Sequence, residues 1–437
     1  MSPTGNILRY EPAPGAVLLV DVMPGSSGAA LGLWFPVGSA LEREDERGLT
    51  HFLEHMLFKG AGDLDADTLS RTVDREGGYL NAFTERDTMC IHCLIPAGKA
   101  EMAASLLLDM AFRPRLVADE FEREKDIIVN EILASEDDLE EAGHNLFHAL
   151  CYPEHGAGLP IAGTVADVRS ASLDALKAFH GERVMSGRVV MTVAGNVDPD
   201  SLAALFSSRT GGAPRSDAVS SGPAAFRRTR ATASAPGSQV YIFTGLPIIP
   251  QPAEDEFWLL DLIDSAYGES MSSRLFMRLR EAEGLCYSIS SEFAPSAVAG
   301  TWGVLASTSP EQLPRFASAY KREAELLYRH GLAEREVSEA RSRIQGLISL
   351  ASDDPEYRMK RLARRYLFDG SADSVPDMVG RYLNDRTLSL ERVNHCIQAR
   401  LDPDNEAILM YGKITKRAAK AAAETFACEP WEGSIDG

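Results

Sequence analysis

The chain has 437 residues, 45% hydrophobic and 25% charged, enough for two or three domains that each bury a core. Lys and Arg number 44 against 64 Asp and Glu, a net charge of −20 that argues against nucleic acid, since phosphate binding needs a basic surface. No apolar run approaches 18 residues, and the first 30 lack a basic stretch followed by a long apolar one. Neither a membrane span nor a signal peptide is therefore expected. The cysteines, at positions 90, 93, 151, 286, 396 and 428, fit a reducing, cytoplasmic setting better than a disulfide framework.

In chain order, GAVLLVDV (15–22) and AALGLWFPVG (29–38) read as strands. THFLEHMLFKG (50–60) reads as an amphipathic helix, and DTMCIHCLI (87–95) as another strand. Cys90 and Cys93 form a C-x-x-C in that strand, where residues three apart point to opposite faces, so no shared metal or redox role is expected. ADEFEREKDIIVNEILASEDD (118–138) is a long helix. SSRTGGAPRSDAVSSGPAA (207–225) has no apolar periodicity and reads as a linker between domains at 1–206 and 226–437. Beyond it, SQVYIFTGL (238–246) is a strand and AEREVSEARSRIQGLISLAS (333–352) a helix. The loose mixture of strands and helices, with hairpin-like pairs, points to an α+β fold of mixed sheet packed against helices.

The two halves are of similar length and share a faint repeat. LSRTVDREGGYLNAF (69–83) and LFMRLREAEGLCYSI (275–289) both run helix, Glu, Gly, strand. Placing Gly77 on Gly284 sets His51 on Trp258, Glu54 on Asp261 and His55 on Leu262. One half carries a candidate metal site, and the other is a copy without it.

That site is H-x-x-E-H at His51, Glu54 and His55. Positions i and i+4 share a helix face, so the two imidazoles point together, the usual pairing for zinc. Glu54 sits beside them, able to hold water without being a ligand. With nine histidines in the chain, the pattern should arise by chance on the order of 0.01 times, which favours function over accident. His144 and His148 have the same spacing without the acid and read as structural. A third ligand is required, and FEREKDIIVNEI offers Glu124 and Glu131, seven apart on one helix face. Spacing alone leaves open which of the two binds.

GLTHFLEHMLFKG, GGYLNAFTERDT, FEREKDIIVNEI, YPEHGAGLPIAGT and SSRLFMRLREAEGLCYSISS together resemble, in order, the pitrilysin/insulinase family of zinc peptidases, the inverzincins. The resemblance covers most of the chain and is to the small two-domain type, similar to the subunits of the mitochondrial processing peptidase. It implies two domains of one fold, the second without metal, and one zinc per chain. The family's third ligand lies some 76 residues past the second histidine, which here is Glu131. Glu124 then takes the family's supporting position beside the ligands.

The implied chemistry is zinc-dependent endopeptidase activity on extended peptides held in a closed chamber. Glu54 would accept the proton of the attacking water and deliver it to the leaving amine. By resemblance, Tyr287 would donate to the oxyanion and Arg280 would bind a nearby substrate carbonyl. Asn81, Ala82 and Phe83 would face a peptide added to an exposed strand edge. YGESM (267–271) carries one Gly where relatives have a Gly-rich run, so a flexible substrate-feeding loop is not expected. Larger family members enclose substrate with four such domains, so this two-domain chain is expected to pair as a homodimer with an active site shared between chains. The alternatives are the catalytic subunit of a heterodimeric processing peptidase and a non-catalytic structural subunit.

Overall fold

The computed structural model describes residues 7–431 and 433, apart from 212–214, 217–221, 249–253, 297 and 384–385. Two compact units emerge. One comprises Met1–Leu133, Leu159–Gly222 and Ile348–Met378, the other Ala134–Gly158, Pro223–Leu347 and Val379–Gly437. They do not coincide with the expected spans 1–206 and 226–437, because each unit takes in a segment from the opposite half of the sequence. The expected linker also starts late: Pro199–Thr210 is helical, so residues 207–210 belong to a helix. Residues 212–214 and 217–221 of that stretch lie outside the described residues.

The first unit is built on six strands: β1 (Ile7–Ala13), β2 (Ala16–Val22), β3 (Gly28–Phe35), β4 (Tyr79–Thr84), β5 (Met89–Pro96) and β6 (Val189–Gly195). They lie in the order β1-β2-β6-β3-β5-β4, all neighbours antiparallel except β2 and β6. Both faces are covered, which is why β2 and β3 read as apolar runs rather than alternations. Leu18, Val20, Leu31 and Leu33 join a core with helix α1 (Leu49–Leu57); Val17, Leu19, Ala30 and Trp34 face the other way. There they meet Met359, Leu362, Ala363 and Tyr366 of a helix at Pro355–Asp369, from far along the chain. Arg358 of that helix grips the buried Asp21 of β2 through two hydrogen bonds of 2.5 and 2.7 Å. Cys90 and Cys93 fall in these two separate cores, as the strand reading requires, and both are free thiols whose burial raises their pKa.

The second unit repeats this plan. Its strands are β7 (Arg230–Ser234), β8 (Val240–Pro247), β9 (Ser288–Ala294), β10 (Thr301–Thr308), β11 (Ala407–Gly412) and β12 (Glu429–Pro430), in the order β9-β10-β8-β11-β7-β12. Read from β4, the first sheet matches strand for strand: an antiparallel edge hairpin, two further antiparallel neighbours, then one parallel pair. Only the last strand differs, since β12 pairs parallel with β7 while β1 pairs antiparallel with β2. Gly77 and Gly284, matched in sequence, both adopt left-handed φ, +73° and +61°, shortly before the two edge strands. The chain is α+β, one fold used twice.

Here, too, a helix comes from the other half: Leu139–Cys151 packs on β8 and β11, with Phe147 stacked on Phe243 at 6.2 Å. Deeper in this unit, Tyr320 donates a 2.5 Å hydrogen bond to the buried Glu406, and burial pushes the Glu406 carboxyl up to about 7. A carboxyl raised in the folded state favours the fold fully below its unfolded value, about 4.5, and that advantage is lost as pH rises through about 7. Glu406→Gln should therefore gain stability relative to the native chain between pH 5 and pH 8, by about 2–3 kcal/mol at 1.36 kcal/mol per pKa unit. Urea unfolding of both proteins at the two pH values measures this; an unchanged difference would mean the carboxyl is not raised.

Candidate metal centre

Helix α1 carries H-x-x-E-H, and its start is fixed by two neighbours. Gly48, just before it, has φ +79°, and a Cβ there would stand 2.7 Å from the Ala162 carbonyl oxygen. No side chain of the cap residue itself bonds the first turn. Instead Glu42 reaches in, its two carboxylate oxygens accepting from the Gly48 and Thr50 N–H groups at 2.8 and 2.7 Å. An acceptor at a helix N-terminus also complements the helix dipole. Burial pushes the Glu42 carboxyl up to about 7 even though these hydrogen bonds act to lower it.

Phe52, Leu53, Met56 and Leu57 bury the inner face of α1, leaving His51 and His55 side by side with ring centroids 4.7 Å apart. Helix α2 (Ala118–Asp137) supplies the carboxylates, held against α1 by the stack of Phe121 on Phe52 at 4.4 Å. One carboxylate oxygen of Glu131 lies 3.5 Å from His51 Nε2, the other 3.4 Å from His55 Nε2. Ligand atoms about 2.0–2.1 Å from a tetrahedral metal stand about 3.3 Å from one another. Both Glu131–histidine separations are near that value, and one ligand atom from each of the three residues lies within 4.8 Å of the others. Among the described residues, His51, His55 and Glu131 form a group that could hold a metal. Hydrogen bonding to His51, then His55, holds the Glu131 carboxyl well below the usual carboxylate range, as a ligand requires. His55 is half-buried, and its desolvation disfavours the charged form, but hydrogen bonds to Glu131 and Glu124 outweigh this and raise its pKa.

Glu124, two turns before Glu131, does something different. Its side chain is 3% exposed, and it accepts from His55 Nδ1 at 2.9 Å, on the ring edge away from Glu131. The two carboxylates that spacing made equivalent thus stand in different places, Glu131 at both Nε2 atoms and Glu124 at His55 Nδ1.

Glu54 is oriented by the neighbouring sheet edge. Thr84, the last residue of β4, donates its hydroxyl to Glu54 at 2.6 Å. β4 is an end strand, hydrogen-bonded to β5 alone. Its residues alternate: Ala82 faces the core that holds α1, while Phe83 packs edge-on against Trp34 at 5.6 Å on the opposite face. Asn81 is exposed, donating to the Tyr79 hydroxyl at 2.5 Å and accepting from the Ala82 N–H at 2.9 Å. A peptide along this edge would meet the backbone of Asn81, Ala82 and Phe83 rather than all three side chains.

A profile described as "Insulinase (Peptidase family M16)" matches residues 18–165, and one described as "Peptidase M16 inactive domain" matches residues 170–344. An "uncharacterized zinc protease" of Mycobacterium bovis is 32% identical over 377 residues, covering 84% of this chain and 85% of that protein. The chain belongs to the insulinase family of peptidases, M16. A second protein so named, from Streptomyces coelicolor, is 30% identical across 86% of this chain and 84% of its own length. In fold, the family likeness extends to a crystal structure titled as a peptidase M16 inactive domain from Pseudomonas fluorescens. It superposes with a TM-score of 0.85 at 19% identity, over 94% of this chain and 99% of that one.

The second unit's counterpart of the metal site is filled by packing. On the helix Glu254–Tyr267, Trp258 and Leu262 are fully buried, Trp258 meets Tyr382 edge-on at 5.4 Å, and Asp261 accepts the Tyr382 hydroxyl. Tyr287, next to the edge strand β9, is 74% exposed. Arg280, on the helical turn Phe276–Ala282, lies over the Phe276 ring at 4.6 Å. His144 and His148 stand 4.6 Å apart on Leu139–Cys151 among aromatic rings, and no described acid joins them in a metal-sized group. No described helix is long and apolar enough to cross a membrane. Sequence reading missed Glu42, Lys59 and Thr84; of these only Lys59 carried a signal, its place four residues after His55.

Proposed function

We propose that this chain is a zinc-dependent endopeptidase that cleaves peptides or unfolded segments bound in extended form within an enclosed chamber. The observation that carries this reading is the Glu131 carboxylate lying 3.4–3.5 Å from both histidine Nε2 atoms, with Glu54 on the same helix. His51, His55 and Glu131 would hold one zinc ion per chain, which when bound would supply Lewis-acid activation of water and of the scissile carbonyl. Glu54, aimed by Thr84, accepts the water's proton and returns it to the leaving amine. Glu124 orients His55 through Nδ1. The free edge of β4 takes the peptide by backbone pairing at Asn81, Ala82 and Phe83, a mode that reads few side chains and favours broad specificity. The catalytic domain is built mainly from the half of the sequence before the stretch 211–225 and the metal-free domain mainly from the half after it, each taking in a helix from the other half. Six free cysteines support a cytoplasmic setting. The complete H-x-x-E-H favours a peptidase over a structural subunit.

Zinc analysis of the purified chain, together with a peptide-library digest, tests the activity. A folded chain that binds zinc stoichiometrically yet cleaves nothing would favour the structural subunit or the catalytic subunit of a heterodimeric processing peptidase without its partner.

Because Tyr287 and Arg280 lie on the metal-free half, we assign them to the site of a second copy in a homodimer, with Tyr287 donating to the oxyanion and Arg280 to a substrate carbonyl. Mixing two inactive variants, Glu54→Gln and Tyr287→Phe, should restore activity toward about a quarter of the native level. About half the dimers are then mixed, each with one intact site of two. A mixture that stays inactive while a labelled subunit shows exchange would place both groups within one chain, or on a separate partner.

A further inference from the structure

Lys59 lies one helical turn past His55, where α1 ends: its N–H bonds the Met56 carbonyl at 3.1 Å, and Gly60 turns the chain away with φ +120°. Its ammonium sits 2.5 Å from the Glu124 oxygen that does not face His55. His51, His55 and Lys59 therefore form a stripe at i, i+4 and i+8. Glu131 spans the first two members and Glu124 the last two.

Glu124 has no other ion-pair or hydrogen-bond partner among the described residues, and its side chain is 3% exposed. A carboxylate so buried is costly unless its oxygens are satisfied, and removing one partner of such a pair costs more than the pair contributes. With Lys59 in place, one oxygen is committed to the ammonium and the carboxylate plane is set. The other oxygen is then held on His55 Nδ1, and His55 Nε2 stays turned toward Glu131. His51 has no such support, since its Nδ1 is buried and finds no hydrogen-bond partner among the described residues. The orientation of the ligand pair thus depends on the one histidine that is clamped.

We propose that Lys59 is a positioning residue for the metal centre, acting through Glu124 to hold His55 in its ligating orientation. This rests on the zinc reading above. It places a cation in the support of a cationic metal, which is tolerable because the buried carboxylate stands between the two charges.

The test is zinc affinity, measured by competition with a chromophoric chelator, for the native chain and for Lys59→Met, Lys59→Gln and Lys59→Arg. Each is made alone and with Glu124→Gln. If the native chain binds no zinc, or binds it unchanged after His55→Ala, the zinc reading and this proposal both fall. Given native binding, Lys59→Met and Lys59→Gln should weaken it by roughly 10–100-fold, the effect expected of a group that supports a ligand. Lys59→Arg should stay close to native, and excess zinc should restore the turnover of Lys59→Met with KM unchanged. In the Glu124→Gln background, Lys59→Met should add little further loss. Native affinity in a folded Lys59→Met or Lys59→Gln, or an undiminished loss without the Glu124 carboxylate, would overturn the assignment. Two neutral variants keep the test open should one fail to fold, as judged by circular dichroism.

Discussion

Glu54→Gln is expected to abolish peptide cleavage while leaving about one zinc per chain. General acid–base catalysis contributes about 10²–10⁴-fold, and here a single group is assigned both the proton abstraction and its return, so the loss should lie at the upper end. Glutamine has the size of glutamate and can still accept the Thr84 hydroxyl bond, made at 2.6 Å in the native chain, so neither helix α1 nor the strand edge need move. The ligands proposed above are His51, His55 and Glu131, none of which Glu54 touches in the hydrogen-bond network of the centre. The measurement pairs metal analysis with hydrolysis of a fluorogenic peptide. Cleavage at the native rate would remove Glu54 from the mechanism, whereas loss of zinc as well would make it part of the metal site.

The second large effect is on the metal itself. His55→Ala should remove both zinc and activity, and more completely than the loss of one ligand alone would suggest. It deletes a ligand and also strips the buried Glu124 of one of its two partners. Glu131→Gln should likewise lose metal, because a neutral amide replaces the carboxylate that lies within 3.5 Å of both imidazoles. Glu124→Gln should weaken binding by roughly 10–100-fold without abolishing it. Should Glu124→Gln lose zinc as completely as Glu131→Gln, the two roles would be exchanged. Affinity should also rise with pH. The hydrogen bonds of Glu131 and Glu124 raise the His55 pKa despite its burial, so at low pH a proton competes for the ligand nitrogen. Chelator competition at pH 6 and pH 8 reads this directly, and equal affinity at both would show that no histidine must deprotonate.

Much of this was written locally. Helical periodicity alone puts His51 and His55 on one face, and strand periodicity alone sends Cys90 and Cys93 to two separate cores. The repeat around Gly77 and Gly284 identified the duplication, because a left-handed glycine ahead of an edge strand is a local backbone requirement that both copies retain. Such features depend on a few consecutive residues and survive any change elsewhere.

The remainder needed the tertiary structure. From spacing, Glu124 and Glu131 are equivalent, since seven residues make two turns of one helix. What separates them is how α2 lies on α1, set by contacts such as Phe52 with Phe121 between residues 69 apart in sequence. Glu42, Thr84 and Lys59 gain their roles in the same way, each through a hydrogen bond or ion pair whose partner the local pattern does not name. The helix at Pro355–Asp369 is the strongest case. It lies in the second half of the sequence, yet it covers the first sheet, with Arg358 paired to Asp21 of β2, 337 residues away. Periodicity tells a helix which face to bury. Only the assembled chain decides against which sheet, because that choice compares packing surfaces made of residues that meet nowhere in the sequence.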